Sequence, residues 1–140
     1  MGSAAAATFK FVAADAELKA LRRLRRARAA LARGLTGSLG TVIGHLPSLR
    51  RHVTAPLALP VLEDMDAAAA RVPALLDQIA SEPTRKAVHE LANLAAVLDA
   101  SVSELRHSPH GPEADNLLAV MATAMNRSRR QFKAIRALLR

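Results

Sequence analysis

A chain of 140 residues has the size of one domain and can bury roughly two-thirds of the surface that its unfolded form exposes. About half of it is hydrophobic, yet only Phe9, Phe11 and Phe132 are aromatic, and Trp, Tyr and Cys are absent. Ala, Leu and Val must therefore build the core, which argues against a β-sandwich, and disulfides, thiolate metal sites and cysteine nucleophiles are excluded.

The charge is lopsided. Residues 1–53 carry ten Lys/Arg against two acids, whereas residues 54–140 carry ten of each, so the net +8 lies in the first third. Lys19, Arg22, Arg23, Arg25, Arg26, Arg28 and Arg33 supply most of it. Such a stripe suits nucleic acid, an acidic lipid surface or an acidic protein, or it is a solvated helix face. Membrane-surface binding would lack Trp and have only Phe9 and Phe11 as anchors. No apolar run approaches the ~18 residues needed to span a bilayer. Met1 to Ala7 is small and apolar but has no basic start, so no signal peptide is expected, and the expected compartment is the cytoplasm.

Four helices are expected in chain order. Residues 1–14 read as a flexible N-terminus. Asp15 is placed to cap a first helix that runs to about Val53, where Thr54-Ala55-Pro56 ends it. Pro60 suits a first helical position, with Glu63, Asp64 and Asp66 near the positive N-terminus of a second helix to about Ala80. Ser81-Glu82-Pro83 restarts the chain into a third helix, to about His107. After the turn Ser108 to Pro112, Glu113 and Asp115 open a fourth, which closes on Arg136 and Arg140.

Apolar residues alternate three and four apart on every helix. The series are Leu35 to Val53, Leu62 to Ile79, Val88 to Leu105 and Leu118 to Leu139, the last interrupted by Ser128. These are narrow heptad seams of the kind that pack four-helix bundles. A shift of 56 residues overlays the two halves without a gap, with ten identities across residues 33–79, Leu35/Leu91, Pro56/Pro112 and Met65/Met121 among them. The expected fold is thus all-α: an antiparallel four-helix bundle of two repeated hairpins, 15–80 and 83–139, in one domain from 15 to 140. Its core should hold Leu39, Val42, Leu46, Leu62, Met65, Leu76, Leu91, Leu98, Val102, Leu118, Met121 and Phe132. The first helix outruns its repeat partner by about 18 residues, so Asp15 to Arg33 should project as a basic docking element, and deletion of residues 1–30 should leave the bundle folded.

Two features strain this picture. Gly34, Gly37, Gly40 and Gly44 lie inside the first helix, each costing up to ~1 kcal/mol against Ala. They mark either a close approach of a neighbouring helix or a soft segment. Pro47 and Pro73 are expected to kink or interrupt their helices.

One constellation suits chemistry. His89 and Asn93 sit one helical turn apart beside the seam residue Leu91, with Glu90 next to His89 and expected to face solvent more fully. An exposed imidazole can accept a phosphoryl group, a neighbouring carboxylate can orient it or take its proton, and an amide one turn on can position water. The alternative is a surface histidine near a bundle seam. His107 and His110 flank a turn without a third ligand, so no metal site is expected. Neither is a cofactor. His45 and His52 have no evident partner, and no nucleophile elbow is present.

The run His89-Glu90-Leu91-Ala92-Asn93-Leu94-Ala95-Ala96-Val97-Leu98 resembles the phosphoacceptor box of bacterial sensor histidine kinases. Leu117 to Met121, through Arg127 to Arg140, is similar to the second helix of the same dimerisation and phosphotransfer domain. The resemblance covers residues 80–140 directly, and residues 33–79 only through the repeat. It implies a bundle supplied by one chain, with His89 as phosphoacceptor, Glu90 as acid/base partner and Asn93 positioning water for dephosphorylation of a response regulator. It implies a receiver domain or cognate kinase as partner. In the first hairpin the three positions hold Arg33, Gly34 and Gly37, and nothing in the chain resembles the kinase ATP-binding domain or a glycine-rich phosphate loop, so autonomous kinase activity is not expected. The other reading is a non-catalytic interaction bundle, monomeric or homodimeric, whose Lys19, Arg22, Arg23, Arg25 and Arg26 bind an acidic protein or, non-specifically, nucleic acid.

Overall fold

The computed structural model describes residues 2–139, with side chains from Val12 onward. Four long helices make it up: α1 (Gly2–His52), α2 (Leu59–Ser81), α3 (Arg85–Leu105) and α4 (Pro112–Leu138), with one 3₁₀ turn (Pro56–Ala58) ahead of α2. No strand occurs among the described residues. No helix among them is long and apolar enough to cross a membrane.

Helix boundaries follow local chemistry. α1 begins at Gly2, so Asp15 lies well inside the helix instead of capping it, and residues 2–14, expected to be flexible, are helical. The cause is the run of strong helix formers around Ala4 to Ala7 and Ala13 to Ala16. Asp15 instead pairs with Lys19 at 3.2 Å, one turn along. Phe9 and Phe11 lie outside the described side chains.

α3 starts at Arg85 rather than at Pro83. The Thr84 hydroxyl accepts the Ala87 N–H at 3.1 Å and forms the N-cap. α4 starts at Pro112, behind Gly111 with φ of 101°, a conformation that only Gly adopts without strain. Pro47 and Pro73 interrupt neither helix. They line one groove between α1 and α2, together with the exposed ion pair of Arg50 and Asp66.

The two larger interfaces join α1 to α4 and α2 to α3; the contacts of α1 with α2 and of α3 with α4 are smaller. α1 and α2 therefore have most of their apolar seams covered by α4 and α3 rather than by each other. Arg28 reaches the carbonyl of Leu138 at 2.8 Å and Ser38 reaches Gln131 at 2.6 Å, so α1 and α4 run in opposite senses. One continuous core results, containing all twelve expected side chains from Leu39 to Phe132. Ser128, which breaks the α4 seam, is fully buried and donates to the Met125 carbonyl at 2.8 Å, so its hydroxyl is satisfied inside the helix.

The glycines separate into two groups. A Cβ on Gly34 would lie 2.7 Å from Nε2 of Gln131, so α4 comes close there. Gly37, Gly40 and Gly44 face open space, and no helix of this chain approaches them.

Candidate functional site

His89 sits in the second turn of α3, directed by the seam. Val88 and Leu91 are buried, which turns His89 outward, and the ring is exposed. Asn93, four residues on, is exposed on the same face. Glu90 departs from expectation: it is half-buried, less open to solvent than His89. Its neighbours three residues back and four ahead are Ala87 and Leu94, both buried, so its stem lies on the flank that packs toward the core.

The structure adds two residues to this constellation. His89 lines a cleft of about 420 Å³ between α3 and α4, walled by Val88 and Leu139 and bordered by Arg85 and Arg136. Arg85 is one turn before His89 on α3, and its Nε donates to the Leu139 carbonyl at 2.8 Å. Arg136 comes from α4 and rests over the ring of Phe132, 6.0 Å from its centroid. The cleft thus brings one imidazole and two arginines to its border, and Arg remains charged with a planar fork that matches phosphate oxygens. The signal for Arg136 was long-range and required the α3–α4 register; Arg85 was legible as the residue one turn before His89.

The basic residues gather further. α1 has no acidic residue between Glu17 and Glu63, and α4 has none after Asp115. Because Arg28 meets Leu138, the cationic stretch of α1 stands at the same end of the bundle as Arg130, Lys133 and Arg136 of α4. Arg129, also on α4, is paired with Asp99 at 2.7 Å. Glu113 and Asp115 lie at the opposite end of α4.

From Val12 to Arg23 every side chain of α1 is exposed, including Lys19, Arg22 and Arg23. Arg25 and Arg26 are exposed as well, while Leu24 and residues 27–29 are half-buried. The projecting part of α1 therefore ends near Leu24, short of the expected limit at Arg33, because Arg28 is tied to the end of α4.

Two of the remaining histidines have structural work. His107 Nδ1 is 2.8 Å from the Ser103 carbonyl and His110 Nε2 is 2.7 Å from the Leu105 carbonyl, so both rings satisfy carbonyls at the end of α3. The His110 amide donates to Asp115 at 3.0 Å, tying the turn to the start of α4. His45 is half-buried and His52 exposed.

A scan against protein-family models and searches of curated proteins and of solved structures found no match to this chain.

Proposed function

We propose that the chain is a two-component-type histidine phosphotransfer or receiver-docking bundle, with His89 as phosphoacceptor and without an ATP site of its own. The observation that carries this reading is the exposed His89 ring in a cleft bordered by Arg85 and Arg136. In the proposed step an imidazole nitrogen attacks the phosphorus of an aspartyl phosphate on a receiver domain. The N–P bond forms, the P–O bond to the aspartate breaks, and the ring proton leaves to Glu90 or to water. Arg85 and Arg136 offset the charge on the transferring oxygens. Asn93, one turn along the same exposed face, positions the water that hydrolyses the receiver's phosphate.

The scaffold for this reading is an internal duplication of an antiparallel hairpin. Its support is matched burial at a spacing of 56 residues: Leu35 and Leu91, Val42 and Leu98, Met65 and Met121, and Ile79 and Ile135 are all fully buried. A cytoplasmic location and a receiver domain or cognate kinase as partner belong to the same proposal.

Phosphoramidate, or a phosphorylated receiver, should label the protein with acid-labile, alkali-stable phosphate. His89→Ala should abolish the label with unchanged helicity by circular dichroism. Asn93→Ala should keep the label and slow dephosphorylation of the receiver. Labelling that survives His89→Ala sinks the proposal.

The second reading, a non-catalytic interaction bundle, is favoured by the gathering of cations at one end. Lys19, Arg22, Arg23, Arg25 and Arg26 would then meet an acidic protein or nucleic acid.

A further inference from the structure

The seam of α1 does not stop where the bundle stops. Within the bundle, Ala32, Leu35, Leu39, Val42, Leu46, Leu49 and Val53 alternate three and four apart and are all buried. Counting back in the same rhythm gives Arg28, Arg25, Leu21 and Leu18. One unbroken heptad register therefore runs from Leu18 to Leu49 along a single helix, with Val53 just past its end. Its lower part is covered by the core. Its upper part is bare: Leu21 is 55% exposed and Leu18 46%.

The lane beside this bare stretch is defined. α4 packs along α1 as far as Leu138, whose carbonyl binds Arg28. Beyond that point α4 ends, while α1 continues for a further 26 residues, from Gly2 to Ala27. Arg22 flanks the bare seam and Arg25 occupies a seam position itself, while Lys19, Arg23 and Arg26 stand on the outer faces of the helix. At the base of the stretch Arg28 has a buried Nε without an acceptor.

We infer that this part of α1 docks an acidic amphipathic helix of a partner protein, which stacks above the end of α4 and completes the seam. Charge complementarity selects this occupant. At and beside the seam from Leu18 to Arg28 stand Arg22, Arg25 and Arg28 and no acid, so a second copy of the same segment would bring like charges together. A bare polyanion such as duplex nucleic acid would answer the cations but would leave Leu18 and Leu21 in water. An acidic helix with two apolar residues at seam spacing answers both, and a carboxylate opposite Arg25 compensates the charge at the core position. This inference does not depend on His89 accepting phosphate.

The probe is a synthetic helical peptide with Leu at seam positions and Glu on the flanks, labelled for fluorescence anisotropy and titrated with the full chain. A scrambled peptide of the same composition and a 20-base-pair duplex serve as competitors. The amphipathic peptide should bind at least tenfold more tightly than the scrambled one. Leu18→Ser with Leu21→Ser should weaken it about tenfold, and Arg22→Glu with Arg25→Glu should do the same. All four positions are exposed, so the variants should keep their helicity. Equal binding of both peptides and of duplex, unchanged by the Leu variants, would mean a general polyanion face and overturn the inference. So would sedimentation showing a dimer that the Leu variants dissolve, since the occupant would then be a second copy. Absence of binding to any probe also overturns it.

Discussion

α1 and α3 bury nearly the same residues and present opposite surfaces. Leu35 and Leu91 are both fully buried, as are Val42 and Leu98, 56 positions apart. On the outward side, α3 shows His89 and Asn93 where α1 has Arg33 and Gly37. Gly40 and Gly44 continue the bare stripe of α1. The seam is therefore a shared requirement of packing, and the exposed face is where the two helices differ. Any function that belongs to one hairpin alone must be sought on that face.

The largest expected effect tests the sameness. Leu35→Ala and Leu91→Ala should each cost about 2–5 kcal/mol in urea unfolding, because both remove a fully buried side chain from one core. Leu98→Ala belongs to the same class. A cost below about 1 kcal/mol at one of the pair would show that the two seams are not equivalent.

The next effects test the difference. Thr84→Ala should cost about 1 kcal/mol, since it removes a hydroxyl that accepts the Ala87 amide, and α1 has no counterpart because it runs on through that region. Alanine at Gly37, Gly40 or Gly44 should stabilise the protein by up to about 1 kcal/mol each, measured by thermal unfolding, since each added methyl meets open space. Gly34→Ala should gain less or destabilise, because the methyl must displace a Gln131 side chain that is held by Ser38.

The smallest effect concerns the projecting segment. Removal of residues 1–23 should lower stability by less than about 1 kcal/mol, as its described side chains, from Val12 onward, are all exposed. A deletion that extends through Arg28 should cost more, since it frees the Leu138 carbonyl and strips residues packed against α4.

Much of this fold is legible in the sequence because its information is periodic. The three-four spacing names the seam residues without knowledge of which helices meet, and Ser108 to Pro112 marks its turn by composition. The start of α1 was not legible, because Asp15 offers a cap that the alanine-rich stretch before it makes unnecessary. Thr84 was missed beside the more conspicuous Pro83. Of the site, the exposure of His89 and Asn93 follows from their distance to Val88 and Leu91. The half-burial of Glu90 does not, because it depends on a second row of buried residues, Ala87 and Leu94, outside the narrow seam. Arg136 lies 47 positions from His89 and enters the cleft only through the register of α4 on α3.

The central claim is that the face of α3 carries chemistry that the face of α1 lacks. It is tested most directly by mapping acid-labile phosphate after incubation with phosphoramidate, using alkaline peptide analysis of the intact chain. The account predicts one labelled residue, His89, with His45, His52, His107 and His110 unlabelled and with labelling reduced several-fold in Arg85→Ala and Arg136→Ala. Label spread evenly over the exposed histidines, or none at His89, would contradict it.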